Sequence, residues 1–237
     1  MRVLRGHDPG PEADREHTAT LLANASDGTP GLRVWTPPRQ VAFGRRDVRE
    51  PGFERATWIA AERGFEPIER DVGGRAVVYP GDTLAFAHAF PLGDDRDLGS
   101  IPGRYERATE TVLGALRGLG TDVSRGEPLE TFCPGDHSVR AAGGGKIAGI
   151  AQRVRSDAAL VAGCVVVTRG DARRIAEITE PVYDALGVPF DPETIESVAN
   201  AGGPADPNLV ARALEDAFVD GPWSDGDLQI DRIDRDG

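Results

Sequence analysis

The amino-acid sequence predicts an α+β domain in which a mixed, largely antiparallel sheet is packed against helices. Segments with strand-like patterning cluster in the middle of the chain and are joined by short glycine turns rather than by crossover helices. Segments with helical periodicity lie around them. With 39% hydrophobic residues over 237 positions, the chain can also bury a core of ordinary size. These observations together favour the α+β class.

The predicted elements can be placed along the chain from periodicity and turn residues. Strands are predicted over 32–35, 40–43, 66–70, 76–79, 83–89, 129–133, 138–142, 146–155 and 159–168. Helices are predicted over 11–25, 51–63, 102–119, 171–186 and 207–218. Asp171 is expected to cap the fourth helix, with Gly187 after its end. Residues 1–221 are therefore expected to form one domain, followed by an Asp-rich, disordered tail over 222–237.

The charge balance excludes several classes of protein. The formal net charge is −12, which argues against a general nucleic-acid binder and against a basic peripheral membrane protein. No apolar run is long enough to span a bilayer, and the first residues do not resemble a signal peptide, so we expect a cytoplasmic protein. Two cysteines, Cys133 and Cys164, cannot form a disulfide framework or a four-thiolate metal site.

Lysine is almost absent from the chain. Lys146 is the single lysine among 27 basic residues. This bias together with the acidity is typical of a halophilic, haloarchaeal-like protein, and a GC-rich genome produces the same arginine bias. Lys146 follows three glycines in the segment 143–153. The segment is not a phosphate-binding Walker A loop, because Arg140 stands where the motif needs glycine and Ile147 where it needs serine or threonine. The ammonium could instead neutralise a carboxylate or phosphate; a solvated turn lysine is the alternative.

A second glycine-rich segment covers residues 70–79. Its paired glycines, Gly73 and Gly74, would let backbone N–H groups approach an anion, and Arg70 and Arg75 would supply charge. A plain hairpin turn with solvated arginines is the alternative interpretation.

The two segments together resemble those of the lipoate-protein ligase A and octanoyltransferase superfamily, which is related in fold to biotin-protein ligases. The resemblance rests on Arg70-x-x-Gly73-Gly74-x-Ala76-Val77, then Lys146-Ile147-Ala148-Gly149-x-Ala151-Gln152, with Asp136 ten residues before Lys146. It extends from about residue 11 to residue 218. It implies a catalytic domain with a class II synthetase and biotin-ligase-like fold.

The first function implied by this resemblance is that of a lipoate-protein ligase. Such an enzyme activates lipoate or octanoate with ATP and Mg²⁺ as an acyl-adenylate and transfers the acyl group to a lysine of a lipoyl domain. The resemblance implies that Lys146 is the catalytic residue and that Asp136 contacts the magnesium ion. It gives nucleotide and acyl contacts to Arg70, Gly73, Gly74, Arg75, Ala76, Val77, Val78, Tyr79, Asp136, Gly149 and Ala151. The apolar segments 84–90 and 161–167 would line the acyl tunnel.

Cys133 supports a second function. It lies 13 residues before Lys146, close to the nucleophilic cysteine of one class of octanoyl and lipoyl transferases. A thiolate near an ammonium is a good nucleophile, so an acyl-thioester on Cys133 could replace the adenylate without ATP. A small apolar residue at a strand end is the structural alternative. A zinc site built from Cys133, Asp136 and His137 is a poor one, because no further ligands accompany them.

A third possibility is a non-catalytic relative that only binds an acyl group or a lipoyl domain. It stays open because Tyr79 and Ala162 stand where the family usually has histidines. Cys164 is predicted to be a core residue, and His88 to be structural unless it faces the acyl site. The resemblance names as partners the lipoyl domains of 2-oxoacid dehydrogenase complexes or the glycine cleavage H protein. It also allows a separate chain that supplies an accessory domain.

Overall fold

A large mixed sheet forms the centre of the fold. The computed structural model describes residues 1–70, 73–92, 99–221, 223 and 227–233. In this part of the chain the large sheet contains β1 (Arg2–Arg5), β2 (Gly31–Trp35), β6 (Leu84–Pro91), β7 (Val123–Arg125), β8 (Ser138–Ala141), β9 (Lys146–Val154), β10 (Ala158–Val165) and β11 (Gln229–Arg232). Their order is β11-β1-β2-β6-β10-β9-β8-β7. The pairs of β1 with β11 and β2 are parallel and the others are antiparallel, so the predicted class and sheet type are confirmed.

A small second sheet places the glycine-rich segment of residues 70–79 beside the large one. It contains β3 (Gln40–Phe43), β4 (Glu66–Glu69) and β5 (Val77–Tyr79) in the order β4-β3-β5. β4 runs parallel to β3, and β5 runs antiparallel to it. Arg70 continues β4 by donating its backbone N–H to the Phe43 carbonyl at 2.9 Å. The chain therefore leaves this sheet at Arg70 and re-enters it at Val77.

Five helices pack on these sheets within the described residues. They are α1 (Pro11–Ser26), α2 (Phe53–Glu62), α3 (Ile101–Gly118), α4 (Arg169–Leu186) and α5 (Pro207–Val219); two short 3-10 helices cover Asp47–Arg49 and Pro192–Thr194. All five helices were predicted from the sequence. In the part of the chain that the structure describes, no helix is long and apolar enough to cross a membrane.

The start of α4 differs from its prediction. Thr168 is the N-cap, since its Oγ1 accepts the backbone N–H of Asp171 at 3.0 Å. Asp171 lies inside the first turn, where its carboxylate accepts hydrogen bonds from Thr83 Oγ1 at 2.6 Å and the Asp82 N–H at 2.9 Å. Asp171 therefore ties α4 to the β5–β6 turn. Gly187 ends the helix in the left-handed conformation, with φ 67°, as predicted.

Two further predictions are corrected by the structure. The predicted strand over 129–133 is wrong, because this segment is a loop with φ 55° at Glu130 and φ 42° at Cys133, values that no strand contains. The tail predicted to be disordered over 222–237 contains β11, which extends the large sheet by pairing with β1. Residues 222, 224–226 and 234–237 lie outside the described part of the chain.

The buried apolar residues form two main clusters on the two sides of the large sheet. One fills the space between the sheet and helices α3 and α5, with Val112, Leu116 and Phe218 among its members. The other joins the small sheet to α2 and α4 through residues such as Phe43 and Ile178. Helix α1 covers β6 and β10 through Leu21, Leu22 and Ala25. A volume remains between these layers, and the candidate site lies in it.

His88 belongs to the first cluster and has no place in the candidate site. Its ring is fully buried and lies 4.9 Å from Trp223, 5.2 Å from Phe90 and 5.6 Å from Phe218, measured between centroids. Neither ring nitrogen has a hydrogen-bond partner among the described residues. Burial lowers the pKa of His88 to about 3. The residue is therefore a neutral core histidine, as the structural prediction had it.

We expect His88 to make the fold sensitive to acid. In the unfolded chain the imidazole binds a proton as the pH falls below about 6.5, whereas in the fold it stays neutral down to about pH 3. The contribution of His88 to the free energy of unfolding is therefore constant above about pH 6.5. Below that pH, protonation of His88 in the unfolded chain lowers the stability by up to about 1.4 kcal/mol per pH unit. Urea unfolding between about pH 7 and pH 4 should show a smaller loss for His88→Leu than for the parent. Parallel losses in both proteins would contradict the assignment.

Candidate active site

The candidate site is built around Cys133, which sits in the loop between β7 and β8. Its backbone is left-handed, a conformation that costs free energy for a residue with a side chain. Both of its backbone polar groups are held. The N–H donates to Tyr183 Oη at 2.7 Å, and the carbonyl accepts from Lys146 Nζ at 2.9 Å. The conformation of Cys133 is thus fixed from two sides by buried side chains.

The Cys133 sulfur is held by the glycine-rich segment. Arg70 Nη2 donates to Sγ at 3.3 Å and to the Arg75 carbonyl at 2.6 Å. Gly74 has φ 100°, and a Cβ on it would lie 2.6 Å from Sγ and 3.0 Å from Arg70 Nη2. Only glycine allows this close approach. Gly74 therefore leaves the space in which the arginine and the thiol come together, whereas a Cβ on Gly73 would contact nothing within 4 Å.

The charge on Arg70 is stabilised by its surroundings. Burial alone would lower the pKa of Arg70, but the nearby Cys133 and Tyr79 groups outweigh it and the pKa is raised. The pKa of Tyr79 is raised well above its usual range by burial, so its hydroxyl is neutral. Arg70 therefore presents a permanent positive charge to the Cys133 sulfur, where it can stabilise a thiolate or a nearby oxyanion.

Lys146 lies beneath the Cys133 loop, and its exposed fraction is 0%. Its three donors have three acceptors: Glu127 Oε1 at 3.1 Å, the Phe132 carbonyl at 3.0 Å and the Cys133 carbonyl at 2.9 Å. Glu127 Oε1 also accepts the backbone N–H of Gly135 at 3.0 Å. The ammonium would have to give up one of these partners to contact a carboxylate or phosphate. In this geometry Lys146 fixes the loop.

Arg75 is also engaged away from the cavity. Its Nη1 lies 3.2 Å from the buried carboxylate of Asp47 and 2.7 Å from Glu50. Burial raises the pKa of Asp47, although the hydrogen bonds from Gly44 and Arg75 oppose the shift. Arg75 thus compensates a buried carboxylate and anchors the glycine-rich segment to the 3-10 helix Asp47–Arg49.

A cavity of about 650 Å³ opens beside Cys133, a size typical of ligand sites. Its apolar wall comes from the central strands β6, β9 and β10 together with α1. Ala162 pairs with Ala87 on one side and Ala151 on the other, so small side chains leave room over the sheet. The residues that line the apolar part are Leu22, Trp35, Ala85, Phe86, Ala87, Ile150, Ala151, Leu160, Ala162, Gly163 and Cys164.

Most of the residues expected from the resemblance meet at this cavity. Those that line it are Arg70, Gly73, Gly74, Val77, Tyr79, Cys133, Asp136, Gly149 and Ala151. Four do not line it: Arg75, Ala76, Val78 and Lys146. The expected tunnel segments contribute only in part, through Ala85–Ala87 and Ala162–Cys164. The other side of each segment, with Leu84 and Val161 as examples, packs in the first apolar cluster.

The described residues offer little to a magnesium ion. No group of three or more His, Cys, Asp or Glu side chains that could hold a metal occurs in the described part of the chain. Asp136 is exposed at the cavity, and the neighbouring His137 ring stacks on Tyr105 at 3.8 Å between centroids. Of the expected nucleotide-binding charges, Arg75 and Lys146 are paired elsewhere. In this geometry two of the expected cationic groups, on Arg75 and Lys146, are therefore engaged by protein groups.

Cys164 is the second cysteine of the cavity wall and is more deeply buried than Cys133. It is 4% exposed, and burial raises its pKa to about 11. It therefore remains a thiol at neutral pH, consistent with its prediction as a core residue.

Two residues of the site were missed from the sequence. Tyr183 was hidden in the apolar face of α4, and Glu127 stands in a loop without a recognisable motif. Only the fold brings their oxygens to Cys133 and Lys146. The site therefore places a half-buried cysteine beside an arginine at a largely apolar cavity on an α+β sheet.

Comparison with known proteins gives the family. Residues 12–218 match the family model described as the lipoyl protein ligase A/B catalytic domain, so the chain belongs to that family. It is 32% identical over 166 residues to an octanoyl-[GcvH]:protein N-octanoyltransferase of Exiguobacterium sp., covering 70% of this chain and 57% of that protein. It is 30% identical to the enzyme of the same name from Geobacillus kaustophilus, covering 65% of this chain and 53% of that protein. The chain thus spans a little over half the length of these relatives.

The fold has a counterpart among solved structures. A crystal structure of lipoate-protein ligase A bound with ATP superposes with a TM-score of 0.74 at 21% identity, covering 98% of this chain and 88% of that chain. At this identity the likeness shows the fold alone. The resemblance inferred from the sequence is therefore confirmed at the level of family and fold, whereas none of these comparisons supports a haloarchaeal affinity.

Proposed function

We propose that this protein transfers octanoyl or lipoyl groups between carrier proteins through a thioester on Cys133, without ATP. The observation that carries the proposal is the arrangement of Cys133, whose N–H, carbonyl and sulfur are each held by a separate side chain beside the cavity. The two curated relatives are named octanoyltransferases, which supports the same reaction. An ATP-dependent ligase was the first expectation from the resemblance; the engaged donors of Lys146 and Arg75 favour the transferase instead.

The first half-reaction takes the acyl group from an acyl-lysine of the donor carrier, which by analogy with the relatives is the glycine cleavage H protein. The Cys133 sulfur attacks the amide carbonyl, a C–S bond forms, and the C–N bond to the lysine breaks. The thiol proton leaves with the lysine amine, so no other reactant is needed. Arg70, which donates to Sγ in the free enzyme, is placed to stabilise the negative charge on sulfur or on the carbonyl oxygen.

The second half-reaction delivers the acyl group to a lysine of an acceptor lipoyl domain. The lysine amine attacks the thioester carbonyl, the new C–N bond forms, and the C–S bond breaks. One amine proton returns to the sulfur, which regenerates the free thiol. The apolar wall formed by Leu22, Trp35 and Leu160 would hold the chain of eight carbons between the two steps. The small side chains of Ala87, Ala151 and Ala162 leave the space for it.

Intact-mass analysis of an acceptor lipoyl domain tests this proposal directly. The protein is incubated with octanoyl-H protein without ATP in one arm, and with free lipoate, ATP and Mg²⁺ in the other. We expect the octanoyl mass on the acceptor in the first arm, together with a hydroxylamine-sensitive adduct on the enzyme. Modification in the ATP arm alone would show a ligase. No modification in either arm, with binding retained, would show a non-catalytic relative.

A further inference from the structure

We propose that Tyr183 is a positioning residue for the reaction, whose hydroxyl holds the Cys133 backbone in the left-handed conformation that sets the sulfur against Arg70. The inference rests on the proposed function, since it concerns how the thiol is presented for acyl transfer. Tyr183 lies in α4, outside both glycine-rich segments and outside the cavity wall. It acts through the Cys133 loop without contact to an acyl group.

The Tyr183 hydroxyl bridges the two loops of the site. It accepts the Cys133 N–H at 2.7 Å and donates to the Ala76 carbonyl at 2.9 Å. The side chain is fully buried, and its ring packs edge-on against Phe190 with 5.5 Å between centroids. Burial raises the pKa of Tyr183 well above its usual range, so the proton needed for the second bond is retained. The hydroxyl therefore keeps the proton that it donates to the Ala76 carbonyl at neutral pH.

The left-handed backbone of Cys133 needs support on both sides of the residue. The φ of 42° persists only if the surrounding contacts outweigh its cost. Lys146 holds the carbonyl side, and Tyr183 holds the amide side. Without the hydroxyl, the half-buried Cys133 N–H and the buried Ala76 carbonyl would both lose this hydrogen-bond partner. The loop would then relax, and the contact between Sγ and Arg70 Nη2, which is already 3.3 Å long, would be lost.

The bridge has a second chemical effect. Because the Cys133 N–H is committed to Tyr183, it is not free to bind the oxyanion that forms on the substrate carbonyl. Arg70, the group that touches Sγ, is then the donor best placed for that role. The position of the sulfur relative to Arg70 therefore matters for both charge and alignment, and Tyr183 controls it.

A matched pair of hydroxyl deletions on α4 tests the inference. Tyr183→Phe removes the bridging hydroxyl and keeps the buried ring. Thr179→Val removes a hydroxyl one helical turn earlier in an equally buried position, where Thr179 Oγ1 has no hydrogen-bond partner in the described part of the chain. Both variants are compared with the parent in thermal unfolding, in single-turnover acyl transfer, and in alkylation of Cys133 by iodoacetamide followed by intact mass.

We expect Tyr183→Phe to stay folded at the assay temperature and to lose at least about tenfold in the single-turnover rate, with the KM for the donor carrier unchanged. Its Cys133 should be alkylated at least about threefold more slowly, since the guanidinium no longer activates the sulfur. Thr179→Val should match the parent in both rates.

Two results would overturn the inference. If Tyr183→Phe unfolds at a lower temperature but keeps the parental transfer and alkylation rates, the residue is only structural. If Thr179→Val loses rate as strongly, the effect belongs to the packing of α4. Should the parent form no acyl adduct, the proposed function fails, while the alkylation rates still decide whether Tyr183 positions the thiol.

Discussion

Replacing Cys133 by serine is expected to lower acyl transfer by about a thousandfold or more. The proposed reaction needs the sulfur as nucleophile, and a serine hydroxyl in the same place lacks a base to activate it. The substitution changes one atom, so the bonds from Tyr183 and Lys146 to the Cys133 backbone should persist. The fold should therefore be unaffected, and the loss should be confined to the chemistry.

The measurement is transfer of an octanoyl group from H protein to a lipoyl domain, with intact mass of the enzyme recorded in parallel. The parent should carry an adduct of octanoyl mass that hydroxylamine removes, and Cys133→Ser should carry none. Cys164→Ser serves as the matched control, because that thiol shares the cavity wall but remains protonated. It should still form the adduct. Parental transfer by Cys133→Ser would falsify the thioester mechanism.

Replacing Lys146 by methionine is expected to destabilise the fold by about 3 kcal/mol and to reduce transfer as well. The ammonium is fully buried and donates to Glu127 Oε1 and to two backbone carbonyls. Removing one partner of a buried ion pair leaves the other without compensation, which is the costly case. Methionine keeps the volume, so the loss reports the missing charge and hydrogen bonds.

The free energy of unfolding of Lys146→Met is measured with urea. A second substitution separates the cost of the unpaired Glu127 carboxylate from the cost of the lost hydrogen bonds to the two carbonyls. Adding Glu127→Gln to Lys146→Met removes the uncompensated carboxylate, so the double variant should recover part of the stability. Activity should stay low in both, because the Cys133 carbonyl still lacks its donor. If Lys146→Met unfolds at the parental urea concentration, the ammonium does not hold the loop as described.

Many residues of the candidate site could be predicted because they occur in short sequence motifs. The paired glycines after Arg70 and the spacing of Cys133 and Lys146 are visible in one reading of the sequence. The direction in which Lys146 points is not visible there. It follows from a loop over 129–133 that resembles a strand in hydrophobicity, yet contains Glu130 and Cys133 in left-handed conformations. Hydrophobic pattern reports burial and is insensitive to the sign of φ.

The helices were easier to predict than the hydrogen bonds that their side chains make at the candidate site. Apolar periodicity identifies α3 and α4, since a helix must bury one face. The same periodicity counts Tyr183 as an ordinary core residue and says nothing about its hydroxyl. Its two partners, Cys133 and Ala76, are distant in sequence and meet only in the fold. Such long-range hydrogen bonds leave no local signature.

The pairing of β1 with β11 has a consequence for how this domain can be shortened. Arg2 lies opposite Gln229 and Arg5 opposite Arg232, and Arg2 Nη2 contacts Asp231 Oδ2 at 2.8 Å. The sequence alone would suggest that the residues after 221 can be removed. Their removal would delete β11 and leave the backbone N–H and C=O groups on the outer side of β1 without hydrogen-bond partners. An uncovered sheet edge invites pairing between molecules. A shortened chain would therefore be expected to aggregate even though the residues around Cys133 are unchanged.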